Sequence, residues 1–567
     1  MVSVRFLLPL ALAIAAIVVM SFPRPASASP EATNRARRFA QSYEARMRPL
    51  ERTANLAWWN ANVSGKEEDF KQKEEAQNRI NEALADAAAF REIKEIKEGG
   101  QIDDPVLARV IEVVYLAYLE KQVDPALLKK IVAKSNAVEK AFNAYRARVD
   151  GKEMTDSEVR RVLKESKDSE RRRAVWEASK GVGKVVESDL KALVLLRNEA
   201  ARQLGFANFH ALQLYLNEQR TEDIVTLFDE LDQLTREPFR SAKSEIDAKL
   251  AADCHIGVDE LMPWHFHDPF FQETPAVFPA DLDAPYAKAD LPKLTRDFYE
   301  GIGLPVDDVL ARSDLYEKPG KSPHAFCTDI DRERDVRVLA NVVHNVYWMG
   351  TLLHEFGHSV YSSKNIPASL PYVLRTDSHI LTTEGVAMMF ERVAKRRAWL
   401  EKMGVAIADP KGFEAAGAKA LRYQLLIFSR WCQVMLRFEK AMYEKPEQDL
   451  GKLWWDLVEK YQLIRRPPGR SAPDYASKIH IVSTPVYYHN YMMGELFASQ
   501  VHHAIARDVM NGADPASVVY VNNKAVGDFM KRRVFEPGKT LKWNELTRHI
   551  TGTDLSPKAF ALDFKGN

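Results

Sequence analysis

Residues 349–360 read "MGTLLHEFGHSV". His354 and His358 stand four apart, and on a helix positions i and i+4 share a face, which suits two imidazoles on one zinc ion. Glu355 lies about 100° round the same helix, close enough to act on a water beside the metal. Met349, Leu352, Leu353, Phe356 and Val360 supply an apolar surface, so the helix is expected to be buried. Gly357 is read as removing a side chain next to the metal.

With 14 histidines in 567 residues, a chance His-Glu-x-x-His arises about once in forty such chains. The reading therefore requires a third ligand, because catalytic zinc takes three protein ligands and keeps a fourth position open. Residues 376–399, "TDSHILTTEGVAMMFERVAKRRAW", read as a second amphipathic helix. Glu384 sits on its apolar side with Ile380, Leu381, Met388 and Val393, and a lone carboxylate there is costly unless paired or ligated. It follows His358 by 26 residues, room for a helix, a loop and an antiparallel return helix. His379 and Glu391 are the alternatives. His379 reads as a helix-start residue and Glu391 as solvent-facing or ion-paired, so Glu384 is preferred.

The rest of the chain bounds the class. Hydrophobic residues make up 46% and charged residues 28%, ordinary for a folded domain. Residues 1–28 carry Arg5, an apolar run from Phe6 to Met20 and Ala26-Ser27-Ala28, which reads as a secretory signal peptide cut after Ala28. After its removal Lys and Arg number 78 against 79 acidic residues, a net charge of −1. No global basic field points to nucleic acid, and no later stretch is apolar enough for stable membrane insertion. The protein is therefore expected to be exported, periplasmic or extracellular. Cys254, Cys327 and Cys432 are widely spaced and odd in number, and read as buried thiols rather than a disulfide framework.

Long amphipathic patterns predict helices over 31–60, 66–98, 104–121 and 124–148, then 155–180, 184–204, 208–218 and 221–252. Residues 253–343 are rich in proline with short strand-like pieces such as "DVRVLANVV" at 335–343. Helices resume at 345–363, 378–403, 410–444, 447–464 and 485–509. The segment 478–491, "KIHIVSTPVYYHNY", gathers one lysine, two histidines and three tyrosines, an unusual density outside a site, and its start, read as extended, puts Lys478 and His480 on one side.

This layout resembles the gluzincin zinc peptidases, most closely the peptidyl-dipeptidase A family that includes angiotensin-converting enzyme. It is also similar to the thimet oligopeptidase and oligoendopeptidase group. The resemblance extends to "SYEARMRPLERTANLAWWNANVS" at 42–64, "LVLLRNEAARQLGFANF" at 193–209, "PHAFCTDIDRERDVRVL" at 323–339 and the 478–491 segment. It implies one zinc ion per chain held by His354, His358 and Glu384, with Glu355 as general base. It implies His480 and Tyr491 as donors to the oxyanion, Lys478 and Tyr488 as binders of the substrate's terminal carboxylate, and His324 with the Ala325 backbone holding the peptide extended.

The sequence departs from that family in four places. The tyrosine segment carries one extra residue, so Tyr487 competes with Tyr488. Asn490 replaces the chloride-binding arginine, and Met388 replaces the acidic residue four after the third ligand. The carboxylate-binding glutamine has no match in 261–271, where His265 and His267 are the substitutes.

The expected architecture is mainly α: residues 29–567 as a single peptidase domain of two lobes with a deep central cleft and one small β-sheet near the zinc site. The zinc site falls in 345–395 and the substrate segments at 323–340 and 478–491. The expected activity is hydrolysis of short peptides with release of C-terminal dipeptides. An internal-cutting oligoendopeptidase is the alternative, and an inactive peptide-binding protein the reading from another class.

Overall fold

A computed structural model describes residues 29–275, 277 and 281–564. The expected signal peptide, residues 1–28, lies outside the described residues. Many of the helices start where a capping side chain precedes apolar positions at helical spacing. Helix α1 (Pro30–Ser64) opens on the Ser29 hydroxyl, which accepts from the Ala32 amide, and closes on Gly65 at φ 66°. α2 (Glu67–Leu84), α3 (Ala87–Gly99) and α4 (Pro105–Glu120) follow. The pattern predicts one helix over 66–98, but the Asp86 carboxylate accepts from the amides of Ala88 and Ala89 and starts a new one. These four helices gather round their own core, which includes Tyr43, Ile93, Val110 and Tyr118, and Val373 and Leu374 join it from later in the chain.

α5 (Pro125–Ala144) ends earlier than the predicted 148. Asp150 and Gly151 take φ 53° and 74° and turn the chain into a hairpin, β1 (Ala147–Val149) against β2 (Lys152–Met154). Asp-Gly favours this two-residue turn because both positions need positive φ. After α6 (Asp156–Glu165), α7 (Ser169–Gln203) runs unbroken through the region where the sequence predicts a gap. A Cβ on Gly183 would lie 2.4 Å from the Pro473 carbonyl oxygen, so that glycine serves close packing rather than a break.

α8 (Phe209–Leu216), α9 (Thr221–Cys254), α10 (Leu291–Gly301) and α11 (Asp307–Arg312) lead to the second hairpin. There β3 (Phe326–Asp329) pairs antiparallel with β4 (Val336–Leu339), with Cys327 opposite Val338. The remaining helices are α12 (Val346–Val360), α13 (Ile380–Glu391), α14 (Arg397–Lys402), α15 (Pro410–Glu444), α16 (Leu450–Gln462), α17 (Ile479–Ser483), α18 (His489–Asp508), α19 (Lys524–Phe529), α20 (Trp543–Thr551) and α21 (Lys558–Leu562). The helix predicted over 378–403 is three pieces, α13, a 3₁₀ turn at Arg392–Lys395 and α14.

The fold is mainly α, 68% helical. Two two-stranded sheets are present among the described residues, one more than the sequence suggests. No described helix is long and apolar enough to cross a membrane. Cys254 and Cys432 are buried free thiols, and Cys327 is half-buried.

Candidate functional site

α12 begins where the Asn345 side chain accepts from the Trp348 amide at 2.9 Å. Its apolar face is fully buried, with Met349, Leu352, Leu353, Phe356 and Val360 at 0% exposure. α13 crosses it in the opposite direction: His358 meets Thr383, Gly357 meets Ala387, and Gly350 meets Glu391. Gly357 does not clear space beside the metal, as the sequence suggests. A Cβ there would sit 2.8 Å from the Ala387 Cα, so the glycine lets the two helices touch.

That crossing brings His354, His358 and Glu384 together, with one donor atom from each inside a 4.8 Å sphere of mutual distances. The two Nε2 atoms are 3.2 Å apart, and Glu384 Oε2 lies 3.5 Å from His354 Nε2 and 3.9 Å from His358 Nε2. A tetrahedral ion bound at 2.0–2.1 Å spaces its ligand atoms about 3.4 Å apart, so the set fits zinc. The outward nitrogens are also engaged. His354 Nδ1–H donates to Glu391 at 3.0 Å, and His358 Nδ1–H donates to the Thr383 hydroxyl at 2.8 Å. These bonds fix both rings with Nε2 facing the site. Glu391 is thus ion-paired, one of the two readings the sequence left for it, rather than solvent-facing. With Thr383 it supplies the outer support that Met388 cannot. His379 is the N-cap of α13, its Nδ1 accepting from the Leu381 amide at 3.1 Å.

Glu355 is 8% exposed and lies beside the Cys327 backbone N–H, which favours its carboxylate. Burial pushes its carboxyl up to about 7, with His354 opposing the rise. The backbone bonds of β4 orient β3. The Val338 carbonyl and the Ala340 amide bond to Asp314, so Arg337 and Leu339 face β3 and take up Thr328 and Phe326. Alternate strand residues point to opposite edges, so the backbones of Cys327 and Ala325 face the free edge beside Glu355. His324 is exposed at the head of this strand, its amide donating to the Ser322 hydroxyl at 3.4 Å.

The 478–491 segment is helical over Ile479–Ser483, not extended, with Lys478 just ahead of the first turn. Lys478 is 6% exposed and its ammonium donates to Gln272 Oε1 at 2.6 Å. The rings of Phe270, Trp431 and Tyr488 surround it at 5.3–5.4 Å. Burial lowers it to about 8, with Asp268 offsetting part of the loss. Gln272 is a polar partner that the sequence search missed by one residue. Phe271 at φ 51°, and the Asp268 carboxylate accepting from the amides of Phe270, Gln272 and Glu273, turn the loop that presents it. His265 and His267 do not take this place. His265 Nδ1 accepts from the Met262 amide at 2.8 Å, and His267 lies 3.3 Å from Arg172.

The three tyrosines form one cluster, with Tyr491 between Tyr487 at 5.2 Å and Tyr488 at 5.4 Å. Tyr488 packs on His480 at 4.9 Å and on Trp431 at 6.0 Å, beside Lys478. Tyr487 stacks edge-on to Tyr491 at 5.2 Å, and the Glu384 carboxylate, after burial, raises both hydroxyls, Tyr491 to about 12. Burial, then Lys478, lowers His480 to about 4, so its imidazole is neutral and can donate one N–H. Asn490 is buried and its side-chain oxygen accepts from Gln219 at 2.7 Å, while Gln219 Oε1 accepts from His489 at 2.8 Å. Neutral groups thus fill the position where the resemblance implies an arginine.

Two family models match the chain. The model for angiotensin-converting enzyme covers residues 30–243, and that for peptidase family M3 covers residues 310–565, which hold α12, α13 and the tyrosine segment. Among curated proteins, the angiotensin-converting enzyme of Theromyzon tessulatum is 22% identical over 293 residues, covering 49% of this chain. The match spans about half, 47%, of that relative's length.

Proposed function

We propose, for a chain that belongs to the gluzincin metallopeptidases of the angiotensin-converting enzyme and M3 group, an exported zinc peptidase that removes C-terminal dipeptides from short peptides. The observation that carries this reading is the convergence of His354, His358 and Glu384 at ligand spacing, with both imidazoles anchored from behind and Glu355 alongside. His354, His358 and Glu384 would hold zinc, which supplies Lewis-acid polarisation of a peptide carbonyl when bound.

The protein groups supply the rest. Glu355 takes a proton from the attacking water and returns it to the leaving amine. Tyr491 and the neutral imidazole of His480 donate to the oxygen on which negative charge develops. The free edge of β3 at Ala325 pairs with an extended peptide backbone, with His324 at its head. Lys478, with Gln272 and Tyr488, receives the terminal carboxylate as a compact cation in an aromatic box.

The alternative is internal cutting, favoured by the match of residues 310–565 to the M3 model. A free-acid peptide and its C-terminally amidated twin separate the two. The dipeptidase reading predicts a ladder of fragments two residues apart from the free acid and slow cleavage of the amide. Internal fragments of mixed length, unaffected by amidation, would leave the peptidase and remove the dipeptidase.

A further inference from the structure

We infer that Glu439 is a positioning residue: it holds Val486 in a left-handed backbone conformation and so sets the places of Tyr487, Tyr488 and Tyr491. The inference rests on the function proposed above. Val486 has φ 58°, and among the described non-glycine residues with positive φ it alone is β-branched. A branched side chain crowds the backbone most in this region, so the conformation needs outside support. The polar support is one bond. Glu439, on the buried face of α15, accepts the Val486 N–H at 2.8 Å, and both residues are buried, 2% and 4% exposed.

Nothing else in the site explains a carboxyl at this depth. The nearby Arg197 guanidinium donates to the Tyr443 hydroxyl at 3.2 Å rather than to Glu439. Burial pushes Glu439 up to about 8, so near neutral pH it is an uncharged carboxyl whose oxygen accepts one amide. Within "STPVYYHNY" Val486 is the only left-handed residue. Directly after it, Tyr487 turns to Tyr491 and Glu384, and Tyr488 turns to His480 and Lys478.

The test uses the zinc-loaded protein. Glu439→Gln keeps an oxygen acceptor and Glu439→Met fills similar volume without one. The Met variant is expected to keep full zinc content and lose about tenfold or more in kcat/KM, with KM rising for free-acid peptides and kcat falling for free-acid and amidated peptides alike. The Gln variant stays within about threefold of wild type. Adding Val486→Gly, which removes the crowding, restores at least about threefold to Glu439→Met. If Glu439→Met does not fold, recovery of folded protein in the double variant is the supporting result. Equal loss in the Gln and Met variants, or no recovery with glycine, would overturn the inference. Thermal unfolding of the single and double variants measures the coupling without activity. A wild-type protein that cleaves no peptide overturns the proposed function, while additive unfolding shifts overturn the Glu439–Val486 link.

Discussion

Glu391 holds His354 by its Nδ1–H at 3.0 Å, two turns along the same face of α13 from Glu384, which meets the same ring's Nε2 at 3.5 Å. A single helix, α13, therefore grips the imidazole from both sides. Glu391→Ala should weaken zinc binding about 10–100-fold, since removal of such an outer partner has that effect. Competition against a zinc chelator of known affinity measures it. Unchanged affinity would make Glu391 a bystander.

Glu355 is buried beside the backbone of β3 and follows His354 directly in sequence without belonging to the ligand set. Glu355→Gln should retain zinc and lose about 10²–10⁴-fold in turnover, because the amide cannot accept the proton. Metal analysis and a peptide assay on the same preparation read both. Near wild-type hydrolysis would remove Glu355 from the base role.

The hydrogen-bonded lysine at 478 gives a pH signature. Its pKa of about 8 means the cation is present below pH 8 and lost above it. KM for free-acid peptides should rise as pH passes through 8, while amidated peptides show no such rise. Lys478→Met should cost free-acid substrates roughly 1.5–3 kcal/mol, about tenfold to a hundredfold in kcat/KM, and amidated ones almost nothing. A parallel pH response of the two substrates would contradict carboxylate binding by Lys478.

Chloride should matter little. Asn490 is tied to Gln219 and Gln219 to His489, so this position holds neutral partners rather than an anion-binding cation. Replacing acetate by chloride at constant ionic strength should leave the rate nearly flat. A steep rise would show that another group supplies the anion site.

The ligand face was legible because helical spacing alone puts His354 beside His358, and because an unpaired Glu384 among apolar residues demands a partner. The long helix over 410–444 was legible for the same reason, and it stands as Pro410–Glu444. What escaped depends on contacts between distant segments. Glu391 and Thr383 gain their roles only when α13 crosses α12, which the sequence of neither helix fixes. Gln272 reaches Lys478 across 206 residues, through a loop held by a buried Asp268. The spacing of Lys478 and His480 reads as strand alternation, but the five residues from Ile479 form a helix under tertiary packing. Asp150-Gly151 carried a hairpin signal, lost inside a run of helix-forming residues.

Peptide cleavage by this protein should depend on its metal. The decisive measurement is the mass spectrum of products from a short unmodified peptide incubated with the protein alone, with a chelator, and with the chelator followed by zinc. Cleavage is expected in the first, none in the second and recovery in the third, with Glu384→Ala failing to retain zinc after dialysis. Cleavage that persists in the chelated, metal-free protein, or no cleavage by the zinc-loaded protein, would contradict it.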